Sequence, residues 1–219
     1  MFETFFIEQA LQKNAPFVGE AFLNKYKNES ILITGAGGSV GSKLVETLVG
    51  MNFKNMILLD QSEFNLFKLK QSYTSSSIQF EIADIRDQRK MEHLFQMHTP
   101  KLVIHTAAYK HVSLLQKDSY ELIRTNVEGT INVFKSSLKN GVSDFIFVST
   151  DKAVNPINSM GLSKMLAELF LKSYFLSNKI QVKIVRFGNV INSSGSVIPL
   201  FLENIKKAYD IEVRGKHVE

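Results

Sequence analysis

The feature that most constrains the fold is an apolar run that turns through glycines into a helical segment. Residues 30–34 are mostly apolar and β-branched, and Gly35, Gly38 and Gly41 follow at regular spacing. Such glycines allow a tight turn, let backbone N–H groups approach a pyrophosphate and let the helix pack close to its strand. A strand, a glycine loop and a helix in this order predict a dinucleotide-binding site.

Strand-like and helix-like segments alternate along the chain. The predicted strands are residues 30–34, 56–59, 78–82, 102–105, 145–148 and 182–186, and the predicted helices are residues 39–51, 64–73, 88–96, 120–139 and 159–177. This alternation is typical of a parallel sheet covered by helices on both faces. We therefore predict an α/β doubly wound Rossmann domain over residues 30–219, with a helical lead-in over residues 1–29 and the start of a substrate-binding portion from about residue 187.

Composition excludes several classes of function. The 219 residues, 44% hydrophobic and 21% charged, predict a soluble globular domain. The chain has no cysteine, and its five histidines lack metal-ligand spacing, so we expect no metal site. No segment has the apolar length of a membrane span and no leader pattern is present, which favours a cytoplasmic location. The net charge of +5 comes from scattered lysines, which indicates a solvated basic surface rather than nucleic-acid binding.

Acidic and small residues at the ends of the predicted strands extend the cofactor site. Asp60 would accept hydrogen bonds from the adenosine ribose and repel a 2′-phosphate, which favours NAD over NADP; alternatively it caps the helix that begins near Ser62. Asp84 would bind the adenine amino group or cap a helix. The predicted cofactor-binding residues are Thr34, Gly35, Gly37, Gly38, Ser39, Val40, Gly41, Asp60, Asp84, Ile85, Ala107, Ala108 and Lys164.

A hydroxyl, a carboxylate and two amines are concentrated around the end of the fifth predicted strand. Thr150, Asp151 and Lys152 follow the strand directly, and Lys164 lies on the next predicted helix. Ligands bind at the carboxyl ends of parallel strands in such sheets. Burial and the neighbouring charge of Lys164 would lower the pKa of Lys152 towards that of a base, and loss of water would raise the pKa of Asp151 towards that of an acid. The alternative is a surface turn before Pro156.

The motifs taken in order resemble those of a known family. They are the glycine loop, Asp60, HTAAYKH at 105–111, TNVEGT at 125–130, TDK at 150–152 and RFGNV at 186–190. The chain resembles extended short-chain dehydrogenases over residues 31–201. More narrowly, it is similar to the nucleotide-sugar 4,6-dehydratases of bacterial polysaccharide biosynthesis that act on UDP-N-acetylglucosamine.

The resemblance implies a reaction in which NAD takes a hydride from C4, the C5 proton is removed, water leaves from C6 and the hydride returns to C6. Lys152 matches the base at C5, Asp151 matches the acid at C6, and Thr150 would bind the C4 oxygen. Lys164 would hold the nicotinamide ribose. Met160 stands where short-chain dehydrogenases usually have tyrosine, and the longer members of this branch also have methionine there. A thioether cannot transfer a proton, and the alternative role of Met160 is core packing.

The resemblance also implies a set of substrate contacts, with structural alternatives for several of them. The predicted substrate-binding residues are Lys110, His111, Asn126, Arg186, Asn189 and Ser194. Lys110 and His111 could instead be exposed loop residues, Asn126 resembles a buried asparagine that supports the catalytic segment, and Arg186 could be a salt-bridge partner.

Compared with the family, the chain looks shortened at its C-terminus and lacks a membrane region. The favoured function is the UDP-sugar dehydratase; the alternatives are a related nucleotide-sugar epimerase and a truncated, non-catalytic NAD-binding module. We expect a homo-oligomer that associates through residues 120–139 and 159–177, or else burial of these helices against the sheet.

Overall fold

The computed structural model describes residues 19–110, 118–176, 179–188 and 190. In this part of the chain the strands are β1 (Ser30–Thr34), β2 (Asn55–Asp60), β3 (Ile78–Ile82), β4 (Leu102–His105), β5 (Asp144–Thr150) and β6 (Gln181–Phe187). They form a parallel six-stranded sheet in the order β3-β2-β1-β4-β5-β6. The prediction of a doubly wound Rossmann sheet is confirmed.

Helices connect the strands and cover both faces of the sheet. They are α1 (Glu20–Tyr26), α2 (Ser39–Leu48), α3 (Glu63–Ser72), α4 (Gln88–His98), α5 (Ser119–Leu122), α6 (Thr130–Lys139) and α7 (Ser159–Lys172). A π-helical segment, Ile123–Gly129, joins α5 to α6, and a 3₁₀ turn, Asp151–Ala153, follows β5. The predicted helix over residues 120–139 is therefore three consecutive segments with different hydrogen-bonding patterns.

Two hydrophobic layers hold the helices to the sheet. On β2, Ile57 and Leu59 belong to the layer beneath α4, α6 and α7, whereas Met56 and Leu58 belong to the layer beneath α1, α2 and α3. Successive side chains of a strand point to opposite faces. A strand covered on both sides therefore has to be apolar at every position, and this explains the unbroken apolar runs of the sequence.

Side-chain caps define where several helices begin. Ser62 accepts a hydrogen bond from the backbone N–H of Asn65 at the start of α3, and Asn158 accepts one from Gly161 at the start of α7. Asp87 caps α4 in the same way. Each cap of this kind contributes about 1 kcal/mol.

The order of the strands reverses between β1 and β4, which lie side by side with Thr34 opposite His105. The chain leaves the carboxyl ends of these two strands towards opposite faces of the sheet, and this opens a crevice between them. The glycine loop after β1 and residues 106–110 after β4 therefore meet at one edge of the sheet, where a ligand would bind.

Candidate functional site

The glycine loop is shaped by two close backbone approaches. Gly35 has a φ of +66°, and a Cβ there would lie only 2.7 Å from Ala107 Cα. A Cβ at Gly41 would overlap the carbonyl oxygen of Gly35. Side chains are thus excluded at these two positions, and the backbone of the loop packs directly against residue 107 and the start of α2.

Asp60 fastens the glycine loop to the end of β2. Its Oδ2 accepts a hydrogen bond from the Gly37 backbone N–H and its Oδ1 accepts one from the Ser62 backbone N–H, both at 2.9 Å. The cap of α3 is Ser62, so the alternative role of Asp60 as that helix cap is wrong. A carboxylate has about four lone-pair sites, so the Asp60 carboxylate can still accept bonds from a ribose.

Asp84 lies beyond the end of β3, where Arg86 holds it. The Arg86 guanidinium donates from Nε to Asp84 Oδ2 at 2.8 Å and from Nη1 to Glu121 Oε2 at 2.6 Å. Partial burial would raise the pKa of Asp84, but the hydrogen bonds from Arg86 lower it. Asp87, not Asp84, caps α4, so the capping alternative for Asp84 is wrong.

An open cleft of about 490 Å³ lies at the carboxyl ends of β2 and β3. Its lining residues are Gln61, Ile82, Ala83, Asp84, Asp87 and Lys90. The cleft lies on the Asp60 side of the crevice, where the dinucleotide signature places an adenosine.

Residues 106–108 run beneath the glycine loop. The Ala107 backbone N–H donates to Thr34 Oγ1 at 3.3 Å, and Thr106 Oγ1 donates to the Thr34 carbonyl oxygen at 2.7 Å. Ala107 and Ala108 are half-buried, and their methyl groups leave room above the strand ends.

Thr150, Asp151 and Lys152 form one hydrogen-bonded group at the end of β5. Thr150 Oγ1 donates to Asp151 Oδ1 at 2.9 Å, and Lys152 Nζ donates to the same oxygen at 3.0 Å. The Asp151 side chain is 57% exposed. The hydrogen bonds from Lys152 and Thr150 lower the pKa of Asp151, so the prediction that burial raises it is wrong for this conformation.

Met160 and Lys164 share the buried face of α7. Lys164 Nζ donates to the Val148 carbonyl oxygen at 2.9 Å and lies 4.4 Å from the centre of the Phe147 ring. Burial lowers the pKa of Lys164 to about 7, although the charge of Glu168 opposes this shift. Met160 is buried on the same face and offers no transferable proton.

Asn126 is fully buried in the π-helical segment, and protein groups occupy its amide. Its Oδ1 accepts from the Tyr109 backbone N–H at 2.8 Å, and its Nδ2 donates to the Tyr109 carbonyl oxygen at 3.1 Å and to Ser163 Oγ at 2.9 Å. The assignment of Asn126 as a substrate contact is therefore corrected: its amide joins the segment after β4 to α7.

Arg186 is bound by a carboxylate that the sequence analysis missed. Its Nε donates to Glu168 Oε1 at 2.9 Å and its Nη2 donates to Glu168 Oε2 at 2.5 Å. Glu168 is 1% exposed, and it also accepts from Ser149 Oγ and contacts Lys172. Arg186 is therefore a salt-bridge partner rather than a free substrate ligand, as the alternative allowed. The helical spacing of Lys164 and Glu168 was the signal that could have predicted this buried acid.

The remaining predicted substrate contacts are described only in part. Lys110 lies on the surface at the end of the segment after β4, and the partial loss of water around its ammonium group lowers its pKa. His111, Asn189 and Ser194 lie outside the described residues. Within the described ranges, no cluster of side chains could hold a metal ion, and no helix is long and apolar enough to cross a bilayer.

Comparison with known proteins agrees with this geometry. The family described as "Polysaccharide biosynthesis protein" matches residues 31–219. An uncharacterized membrane protein of Methanocaldococcus jannaschii is 42% identical over 187 residues, which cover 84% of this chain and 56% of that protein. A UDP-N-acetylglucosamine 4,6-dehydratase (inverting) of Campylobacter jejuni is 34% identical over 181 residues, 80% of this chain and 53% of the enzyme.

Epimerases and a cofactor complex are also similar to this chain. A UDP-glucose 4-epimerase of Rickettsia canadensis is 33% identical over 195 residues, 86% of this chain and 57% of the enzyme. The crystal structure of Bordetella bronchiseptica WbmG in complex with NAD and UDP has a TM-score of 0.68 and 26% identity, covering 83% of this chain and 60% of that one.

The chain thus spans a little over half the length of these curated relatives. The family match extends from β1 through all the motifs assembled at the crevice. The resemblance read from the motifs is confirmed: the chain belongs to the polysaccharide biosynthesis protein family within the short-chain dehydrogenases, a family whose relatives include nucleotide-sugar dehydratases and epimerases.

Proposed function

We propose that this chain carries the cofactor site and the catalytic group of an NAD-dependent nucleotide-sugar 4,6-dehydratase that converts UDP-N-acetylglucosamine into its 4-keto-6-deoxy derivative. One observation carries the proposal: Thr150, Asp151 and Lys152 form a hydrogen-bonded group at the carboxyl end of β5, next to a helix that bears the buried Lys164. Hydroxyl, carboxylate and amine are the groups that this reaction requires.

The loop after β1 fits a dinucleotide. A Cβ at Gly35 or Gly41 would collide with backbone, so only a glycine turn brings the N–H groups of this loop close to a pyrophosphate. Asp60 is fixed beside the loop, where its carboxylate would bind the adenosine ribose and favour NAD over NADP. The other proposed cofactor contacts are Thr34, Gly37, Gly38, Ser39, Val40, Asp84, Ile85, Ala107, Ala108 and Lys164. When bound, NAD supplies the hydride acceptor and returns the hydride.

The side chains at the end of β5 would move the protons. Thr150 would hydrogen-bond the C4 oxygen and relay the proton of the C4 hydroxyl to water as C4 is oxidised. Lys152 would remove the C5 proton and return it to C5 when the hydride returns to C6, and Asp151 would protonate the departing C6 hydroxyl. With a pKa of about 7, Lys164 changes its charge easily near neutral pH and would assist ionisation of the C4 hydroxyl while it holds the nicotinamide ribose. Lys110, His111, Asn189 and Ser194 remain proposed substrate contacts.

Two observations favour other functions. The similarity to a UDP-glucose 4-epimerase supports a related nucleotide-sugar epimerase that uses the same cofactor site. In an epimerase that acts at C5 instead, Lys152 would be the base that inverts that centre. The glycine loop and its contact with Asp60 would serve equally well in a non-catalytic NAD-binding module. Mass spectrometry identifies the dehydratase, because only this activity changes the mass of the sugar nucleotide. Chromatographic separation of epimers then distinguishes an epimerase from a non-catalytic module.

The organisation of the wider protein is also proposed. Residues 1–29 would form the lead-in, to which α1 belongs, and residues 30–219 would form the cofactor domain with the start of a substrate-binding portion. On α7, Leu162, Leu166 and Leu169 are exposed at helical spacing. This apolar stripe supports a homo-oligomer formed through α7.

The decisive experiment incubates the purified chain with UDP-N-acetylglucosamine and NAD and follows the product by mass spectrometry. We expect a product lighter by one water, and we expect Lys152→Ala to abolish it while NAD binding, measured by calorimetry, is retained. Lys43→Ala is the matched control, because Lys43 is an exposed lysine on α2 that pairs with the neighbouring Glu46 and lies away from the end of β5. Turnover by Lys152→Ala at the rate of the control would show that the base is assigned wrongly.

A further inference from the structure

His105, the last residue of β4, is fully buried and takes no part in the proposed chemistry. Its Nδ1 is 2.6 Å from Thr34 Oγ1 on β1, and its Nε2 is 3.0 Å from Thr130 Oγ1 on α6. Burial, and secondarily the charge of Lys164, lower the pKa of His105 to about 3. The ring is therefore neutral near neutral pH, with one nitrogen that donates and one that accepts.

The partners of the two threonines decide which nitrogen carries the proton. Thr130 Oγ1 donates its hydroxyl proton to the Asn126 carbonyl oxygen at 2.7 Å, so it can only accept from His105 Nε2–H. Nδ1 is then unprotonated and accepts from the Thr34 hydroxyl. Thr34 Oγ1 in turn accepts from the Ala107 backbone N–H at 3.3 Å. A directed chain of hydrogen bonds therefore runs from the Ala107 N–H through Thr34, His105 and Thr130 to the Asn126 carbonyl oxygen, and it leaves both ring nitrogens paired.

Both ends of this chain reach the crevice. Ala107 is the residue that a Cβ on Gly35 would strike at 2.7 Å, so its position decides where the glycine loop can lie. At the other end, Asn126 holds the backbone of Tyr109 and the hydroxyl of Ser163 on α7. The same residues therefore fix the segment after β4 relative to both the glycine loop and the helix that bears Lys164.

We propose that His105, as the neutral tautomer protonated at Nε2, is a positioning residue. It holds residues 106–109 in the position relative to the sheet that the glycine loop and α7 require. It touches neither cofactor nor substrate and acts through Ala107 and Asn126. The effect on NAD binding rests on the proposed function, whereas the tautomer rests on the hydrogen bonds alone.

The competing explanation is that His105 only fills space. Its ring stacks on Phe147 with centroids 5.7 Å apart and an interplanar angle of 20°, so the pocket already suits an aromatic ring. His105→Phe keeps the aromatic packing but leaves the hydroxyl of Thr34 without its acceptor and that of Thr130 without its donor. This variant separates packing from hydrogen bonding.

The tautomer can be measured directly in the full chain without added nucleotide. The ¹⁵N chemical shifts of the imidazole, assigned by comparison with His105→Phe, should show a protonated Nε2 and a bare Nδ1, with no change between about pH 5 and pH 9, since the folded-state pKa lies well below this range. A ring protonated at Nδ1, or one that titrates in this range, would overturn the proposal.

The positioning role is tested by NAD affinity and thermal stability together. His105→Phe should weaken NAD binding by about tenfold, the loss expected when one buried hydrogen-bonded pair is broken. His105→Gln, which keeps a donor and an acceptor, should recover part of this loss. Val103→Ala is the matched control, because Val103 is fully buried two residues earlier on β4 and has no polar group; it should lower stability without changing NAD affinity.

If His105→Phe does not fold, Thr130→Val removes the same acceptor from the ring and should weaken NAD binding to a similar extent. Equal NAD affinity for the unmodified chain, His105→Phe and Val103→Ala would refute the positioning role. Failure of the unmodified chain to bind NAD would refute the proposed function and the positioning role with it, whereas the tautomer measurement would still stand or fall separately.

Discussion

The buried carboxylate of Glu168 makes the sharpest stability prediction. It joins three elements, because it accepts from Ser149 Oγ at the end of β5 and from Arg186 on β6 while it lies on α7. Glu168→Gln keeps the shape of the side chain and a partner for Ser149, but it removes the charge that pairs with Arg186 and Lys172. Breaking a buried ion pair from one side is costly because the remaining charge loses its partner.

The expected loss of unfolding free energy follows from the pKa of Glu168. Burial alone would raise the pKa of Glu168, but hydrogen bonds from Arg186, Ser149 and Lys172 lower it to about 2 from the ordinary 4.5. At about 1.4 kcal/mol for each pH unit, this difference corresponds to about 3 kcal/mol. Because the folded-state pKa is the lower one, this stabilisation is complete above pH 4.5 and is lost as the pH falls towards 2.

Urea unfolding of the unmodified chain and of Glu168→Gln at several pH values measures this contribution. We expect Glu168→Gln to be less stable by about 3 kcal/mol at neutral pH, with the difference shrinking as the pH is lowered through 4 towards 2. Glu46→Gln is the matched control, because Glu46 is 58% exposed in a surface pair with Lys43 and should change stability by less than about 1 kcal/mol. A loss of stability that does not depend on pH would show that Glu168 is not the ionised group assumed here.

Three further perturbations test other parts of the molecule. Lys164→Met should increase the free energy of unfolding, measured in urea, more at pH 7 than at pH 10. A buried lysine whose folded-state pKa is lowered to about 7 destabilises the folded state fully below that pH, and progressively less as the pH rises towards 10.5. An equal effect at both pH values would contradict the lowered pKa. Gly35→Ala should lower the free energy of unfolding by at least about 1–3 kcal/mol, since it adds backbone strain at a φ of +66° and a clash with Ala107. It should also weaken NAD binding in calorimetry. Gly50→Ala is the control that carries the strain alone, because Gly50 has a φ of +87° and no atom near the position of its Cβ. Ser62→Ala should lower the free energy of unfolding by about 1 kcal/mol in thermal unfolding, because it removes the cap of α3. Unchanged stability would mean that Asp60 supports this helix instead.

The sequence predicts the sheet well because strands covered on both faces are continuous apolar runs. Their ends are less well predicted. The prediction stops β5 at residue 148, but the strand continues to Thr150 because Thr150 pairs with Phe187 on β6. Such pairing depends on the register between strands, which the pattern of one strand does not contain.

Prediction of the site is limited in the same way, because contacts between elements cannot be read from any one element. The residue types at the crevice are visible in the sequence, but their partners are not. Glu168 and Arg186 lie on different elements, and only the packing of α7 beside β6 brings them together. Asn126 lies in a π-helical segment, whose wider turn does not follow the 3.6-residue period used to predict helices. Aspartate and serine are both good helix caps, so composition alone does not decide between Asp60 and Ser62.

The exposed pair of Asp151 and Lys152 has to change its charges for the proposed reaction to proceed. In the structure the carboxylate accepts from the lysine ammonium at 3.0 Å, whereas the proposed mechanism needs a protonated acid and a neutral base. A substrate that covers the pair would remove water from it, and loss of water favours the uncharged form of both groups. One proton moved from Lys152 to Asp151 would then produce the acid and the base together.

Because one proton serves both residues, they should behave as a single catalytic unit. Asp151→Asn and Lys152→Ala should each reduce kcat strongly, and the double variant should be no slower than the worse single variant, as is usual for residues that act together. Single-turnover measurements of water loss from the sugar nucleotide give these rates independently of product release. If the two losses multiplied instead, Asp151 and Lys152 would act independently, and the proton would have to reach Asp151 from solvent.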